Sequence, residues 1–175
     1  MGKKILVLGT GAQGSTVAQR MDEEANVDAI VCADYDEKAV NELVKILKKA
    51  KGVKVDANDV DSIVAAAEGC DLIVNALPIA YAPNVLDAAL EVKCNYQDFA
   101  ATDVLDEWWP TCVQMLYDNY GEKFKAIGKM AIIGIIVFII CKKKDAPLPP
   151  QEVDVDALMD KYLNEKSYDD IFGEN

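Results

Sequence analysis

The chain has 175 residues, enough for one ordinary domain, and 51% of them are hydrophobic, so it can bury a real core. Its net charge of −12 argues against nucleic acid and against anionic membrane surfaces as partners. It has no histidine, and its five cysteines form no Cys-x-x-Cys pair, so His-based zinc sites and Ser-His or Cys-His triads are excluded and reduced thiols in a cytoplasmic protein are expected.

Met1-Gly-Lys-Lys4 carries no signal-peptide pattern and leads directly into the first element. Lys4–Leu8 is a continuous apolar run, the pattern of a strand buried on both faces. It feeds into Gly9-x-Gly11-x-x-Gly14, and Gly14–Glu24 then reads as a helix with Val17, Ala18 and Met21 on one face. Strand, glycine turn and helix in that order form the context in which the motif holds a dinucleotide pyrophosphate. Gly9 allows the tight turn, Gly11 lets a pyrophosphate approach the backbone, and Gly14 lets the helix pack on the sheet. The expected phosphate donors are the backbone N–H groups of Gly9, Gly11, Ala12, Gln13 and Gly14, reinforced by the helix dipole.

Ala29–Ala33 reads as the second strand, with Asp34 at its end, about 20 residues beyond the last glycine. A carboxylate there accepts hydrogen bonds from both hydroxyls of an adenine ribose and repels a 2′-phosphate. The expected cofactor is NAD or NADP, with NAD favoured by Asp34.

Glu37–Ala50 has the spacing of a helix burying Val40, Leu43, Val44 and Leu47, with Lys45, Lys48 and Lys49 on its solvated face. Val53–Val55 is a short third strand ending at Asp56-Ala57, and Asp59–Ala67 a helix stopped by Gly69. Asp71-Leu-Ile-Val-Asn75-Ala76-Leu77-Pro78 is the fourth strand and its exit. Asn84–Glu91 is a helix, Cys94–Phe99 a fifth strand, and Asp106–Lys125 a longer helix with Trp109, Val113, Leu116, Tyr120 and Phe124 at helical spacing. A sixth strand begins at Met130.

Met130–Cys141 is far short of the roughly 20 apolar residues a bilayer span needs. It reads as a buried sixth strand that overruns into a further strand or helix. Partial membrane association and alteration relative to a functional parent are the rival readings. Pro147–Pro150 reads as a stiff linker, and Val155, Leu158, Met159, Tyr162 and Leu163 suit a small amphipathic helix in an acidic tail. The expected organisation is a domain over 1–141 and a linker with tail over 142–175.

Regular alternation of strands and helices implies an α/β fold: a doubly wound, Rossmann-type parallel sheet in the order 3-2-1-4-5-6. Ligands of such sheets lie beyond the carboxyl ends of the strands, where strands 1 and 4 diverge. That rule gathers the Gly9–Gly14 turn, Asp34, Asp56, Ala57 and Asn75–Pro78 into one site. Asn75–Pro78 also reads as an ordinary strand-ending turn.

Gly9–Met21, Ala33-Asp34, Asp71–Pro78 and Asn95-Tyr-Gln-Asp98 together resemble the cofactor half of saccharopine dehydrogenase-like reductases, a group similar to carboxynorspermidine dehydrogenases and homospermidine synthases. The resemblance spans roughly residues 3–133. It implies a nicotinamide dinucleotide in the Gly9–Gly14 cleft, with Asn75, Ala76, Leu77, Pro78 and the segment Asn95–Asp98 near the nicotinamide end. It further implies chemistry at the C–N bond of an amino acid or polyamine conjugate. The family usually continues into a substrate domain after its sixth strand, and no such pattern follows here, so no catalytic residue is named. The expectation is a dinucleotide-binding portion that is incomplete as a catalyst on its own and works with a separate substrate domain or as a homo-oligomer. The rival expectation is a regulatory module that senses NAD(H) or adenine nucleotides and controls a partner protein.

Overall fold

A computed structural model describes residues 2–99 and 109–132. The expected linker and tail helix, and the run beyond Ile132, lie outside the described residues.

Six strands form one sheet: β1 (Lys3–Leu8), β2 (Val27–Asp34), β3 (Ala50–Lys54), β4 (Leu72–Asn75), β5 (Asn95–Asp98) and β6 (Ala131–Ile132). They lie in the order β3-β2-β1-β4-β5-β6, and every pairing is parallel, as the alternating pattern predicts. The crossovers are α1 (Ala12–Glu23), α2 (Glu37–Val44), α3 (Val60–Ala67), α4 (Ala82–Glu91) and α5 (Trp109–Ala126). A short 3-10 turn, Ile79–Tyr81, precedes α4.

The period-two alternation of strand side chains divides the core into two layers. Leu6, Leu8, Val31, Ala33 and Ile73 enter one layer with residues of α3, α4 and α5. Ile5, Val7, Ile30, Cys32 and Val74 enter the opposite layer with residues of α1 and α2. Central strands buried on both sides explain the continuous apolar run of β1. Leu116, Tyr120 and Phe124 pack into the first layer as their spacing predicts, and the Phe124 ring sits 6.5 Å from that of Tyr96. The side chains of Trp109 and Val113 lie outside the described residues. No helix among the described residues is long and apolar enough to cross a membrane.

The periodicity of Glu37–Ala50 overruns the helix, which ends at Val44. Two tertiary contacts take the backbone away. The Asp22 carboxylate accepts the N–H groups of Lys48 and Lys49 at 2.8–3.1 Å, and the Lys49 carbonyl accepts the N–H of Ile30 at 2.9 Å. Ala50 therefore opens β3, opposite Ile30. Lys45, Lys48 and Lys49 stand beyond the helix and do not form a helical face. The true helix is well capped, since Asp36 accepts from the N–H groups of Lys38 and Ala39.

Candidate functional site

β1 ends at Leu8, and the chain turns at Gly9 with φ of 95°, a left-handed value that disfavours a side chain. The Gly9 N–H donates to the Ala33 carbonyl at 2.8 Å, which ties the turn to the end of β2 and, against expectation, takes this N–H out of the set of phosphate donors. A Cβ on Gly14 would collide with the Gly9 carbonyl oxygen, so helix and turn can approach only with glycine there. A Cβ on Gly11 would meet nothing within 4 Å, so that glycine opens onto space.

Helix α1 starts two residues earlier than its apolar spacing indicates, because Gly11 serves as its N-cap. No side chain caps it, and its first turn carries no acid. Ala12 and Gln13 are exposed in that first turn, while Gly14 is buried. The positive end of a 12-residue helix is thus left uncompensated at an open glycine.

Asp34 closes the adjacent wall. Its Oδ2 accepts the Thr10 N–H at 2.6 Å and the Thr10 hydroxyl at 3.0 Å, and its Oδ1 accepts the Asp36 N–H at 3.0 Å. Partial burial raises its pKa, but these donors and the backbone of Tyr35 outweigh that effect and hold it below the ordinary carboxylate value. Asp34 is therefore an anion at neutral pH.

The loop after β3 is equally tied. The Asp56 Oδ1 accepts both the N–H and the side-chain amide of Asn58, each at 2.9 Å, which lowers the Asp56 pKa. The Ala57 carbonyl accepts the Asn84 side-chain amide at 2.9 Å, linking this loop to α4.

At the exit of β4 the Ala76 N–H donates to the Leu8 carbonyl at 2.8 Å. Asn75 is wholly buried, and its side chain turns inward. Its Oδ1 accepts the Leu77 N–H at 3.1 Å, and its Nδ2 donates to the Tyr96 hydroxyl at 3.0 Å. Tyr96 donates in turn to the equally buried Asp98 at 2.7 Å. Burial first, and the Asp98 charge second, push the Tyr96 pKa well up, so the phenol stays protonated.

A cleft of about 610 Å³ is lined by Leu8, Asp34, Tyr35, Val55, Asp56, Ala57, Asn58, Leu77, Pro78 and Tyr81. The structure thus brings Asp34, Asp56, Ala57, Leu77 and Pro78 together around one space beyond the strand ends. Asn75 and Asp98 are buried in the core and do not line it, and Gly9, Gly11, Ala12, Gln13, Gly14 and Ala76 are not among its lining residues either. Sequence reasoning overlooked Thr10, Tyr35, Tyr81 and Asn84. Thr10 lies inside the glycine motif, and Tyr35 directly follows the acid, so position alone could have flagged both; nothing local marks Asn84.

Open backbone at Gly11, an uncapped helix end and an anionic Asp34 beside a cleft fit a dinucleotide, which needs a phosphate cradle and a ribose acceptor in that relation. Among the described residues no group of His, Cys, Asp and Glu could hold a metal ion.

Comparisons with known proteins agree with this geometry. Apo saccharopine dehydrogenase (L-Glu forming) from Saccharomyces cerevisiae is similar over 77% of this chain and 27% of its own, at 17% identity and a TM-score of 0.62. This chain therefore spans about a quarter of the yeast protein's length. A short chain dehydrogenase from Mycobacterium smegmatis matches over 75% of each chain at 17% identity and a TM-score of 0.58. A Rossmann-fold NAD(P)-binding family protein from Shigella flexneri matches over 71% of this chain and 64% of its own, at 13% identity and a TM-score of 0.54. At such identities these likenesses establish the fold. The family model described as the saccharopine dehydrogenase NADP binding domain matches residues 5–132, most of the chain and nearly all of the described domain. The chain belongs to that family and carries its NAD(P)-binding domain.

Proposed function

We propose that this domain is the cofactor half of an oxidoreductase acting on the C–N bond of an amino acid or polyamine conjugate. The observation that carries the cofactor part of the reading is the uncapped N-terminus of α1 at the open face of Gly11, next to Thr10, whose N–H the Asp34 carboxylate accepts. The backbone N–H groups of Gly11, Ala12, Gln13 and Gly14 hold the pyrophosphate in this reading, and Gly9 shapes the turn. Asp34 accepts from the adenine ribose, and Asp56 and Ala57 flank the adenine. Ala76, Leu77 and Pro78 lie under the nicotinamide ribose, and the Asn75–Tyr96–Asp98 chain keeps that turn in shape from behind.

When bound, the cofactor supplies or accepts a hydride. The residues of this domain bind and orient it. The substrate carboxylate, and the proton exchanged at nitrogen, are handled by residues outside 2–132 or by another chain. Asp34 makes NAD the preferred partner, because a 2′-phosphate would be placed against a fixed negative charge. We place the protein in the cytoplasm, in keeping with the free, buried thiols of Cys32, Cys70 and Cys94.

The test is titration of NADH and NADPH into the purified chain while nicotinamide fluorescence is followed. Saturable enhancement, reached at lower concentration with NADH, is expected. Unchanged emission with both cofactors would defeat the proposal.

A further inference from the structure

The cleft is walled by loops from two strands that do not pair. Residues 55–58 follow β3, while Leu77, Pro78 and Tyr81 follow β4. In the sheet, β2 and β1 lie between those strands. Leu8 and Asp34, the last residues of β1 and β2, line the space between the two walls. A ligand lying across these strand ends meets both walls, so its fit depends on how one wall is held against the other.

The loop after β3 is tied down mainly by its own half of the molecule. The Val55 N–H donates to the Asp34 carbonyl at 3.0 Å, and the Asp56 N–H donates to the Ser62 hydroxyl at 3.2 Å. The Asn58 N–H donates to Asp56 Oδ1 at 2.9 Å, and the Asp59 N–H to the Asp56 carbonyl at 3.1 Å. Among the described residues, one hydrogen bond joins this loop to the β4 side: Asn84 Nδ2 donates to the Ala57 carbonyl at 2.9 Å. Asn84 is the third residue of α4, the helix that begins directly after Tyr81. Helices α3 and α4 share one core layer, which brings the two segments together.

Asn84 does not line the cleft; it reaches the wall from behind. The peptide between Ala57 and Asn58 thereby has both polar groups engaged, its carbonyl by Asn84 and its N–H by Asp56. A wall fixed in advance spares a ligand the cost of ordering it. We propose that Asn84 is a positioning residue for the cofactor: its amide braces the Ala57 loop against α4 and sets the width of the cleft before a ligand arrives. The proposal rests on the reading of the cleft as a dinucleotide site and adds how that site is held ready.

Two variants separate the brace from stability. N84D keeps the size of the side chain, but a carboxylate cannot donate to the Ala57 carbonyl. It also puts an acid in the first turn of α4, which has none, where the helix dipole favours one. N84A removes the donor and adds no charge. NADH is titrated calorimetrically into the full chain of parent, N84D and N84A at neutral pH. Working well below every unfolding midpoint keeps the folded fraction out of the comparison. Both variants should bind NADH roughly 3- to 10-fold more weakly, the effect of one partly buried hydrogen bond. Hydrogen exchange followed by NMR reads the brace without ligand. The amides of Asn58 and Asp59 should exchange at least about threefold faster in both variants, while those of β1 exchange as in the parent.

Parental affinity in either variant, with the parent binding NADH, overturns the brace and leaves the dinucleotide reading standing. Unchanged exchange at Asn58 and Asp59 in both variants also overturns it, as does faster exchange that extends through β1. A parent that binds no NADH defeats both the dinucleotide reading and this one.

Discussion

Thr10 gives both its amide and its hydroxyl to a single oxygen of Asp34, at 2.6 and 3.0 Å. The second residue of the glycine turn is thereby tied to the last residue of β2. The pairing fixes the acid's orientation, and it also occupies acceptor sites that a ribose would use. A carboxylate offers about four such sites, so a ribose hydroxyl shares Oδ2 with Thr10 or displaces the hydroxyl, which can rotate away.

Asp34→Ser keeps a small polar group and removes the charge. It should weaken NADH binding and narrow the preference over NADPH, as a repulsion that opposes the 2′-phosphate disappears. Fluorescence titration with both cofactors measures the ratio. Equal affinities in the parent would contradict the role given to this charge.

The same residue sets an acid limit. Its native pKa lies below the unfolded value of about 3.9, so its contribution to stability is fully present above that pH. It is lost as pH falls through the lower native value. Asp34→Asn should therefore lower stability near neutral pH and flatten the acid end of the stability profile. Circular dichroism melts taken from roughly pH 7 down to pH 3 give the comparison.

Gly14→Ala should destabilise the fold by about 1–3 kcal/mol, a cost typical of overpacking. The added methyl collides with the Gly9 carbonyl oxygen, a backbone atom that cannot swing aside. Urea unfolding of parent and variant provides the measurement, and equal midpoints would show that α1 can retreat from the turn at no cost.

Tyr96→Phe removes a hydroxyl that accepts from Asn75 and donates to Asp98, both fully buried. Each partner loses a hydrogen bond in a dry site, so a loss of about 1–3 kcal/mol is expected. Cofactor affinity should fall as well, because the Asn75 side chain also holds the Leu77 N–H at the cleft. A variant as stable as the parent would mean that water replaces the hydroxyl.

The parts of this domain that were legible in the sequence are those encoded locally. Gly9, Gly11 and Gly14 sit within one turn, and the strand before them and helix after them carry their own periodicity. Asp34 follows from strand length alone. The end of α2 was illegible because its cause, Asp22, lies 26 residues from Lys48, and a lysine-rich helical pattern says nothing of that contact. Asn75 and Asp98 were placed at the right strand ends, but their burial depends on the Tyr96 hydroxyl, which reaches Asn75 across to β4 and Asp98 two residues along β5. Tyr35 gave no periodic signal, since it is exposed and lies in a loop between β2 and α2.

The most direct test of the central claim is dinucleotide binding by Gly11→Val, set beside the parent. Nothing lies within 4 Å of the added Cβ, so the variant should fold with an unchanged unfolding midpoint. The new side chain then stands where the pyrophosphate meets the backbone. NADH affinity should fall by at least about tenfold, equivalent to about 1.4 kcal/mol. A folded Gly11→Val chain that binds NADH as tightly as the parent would contradict the assignment of the cofactor to this cleft.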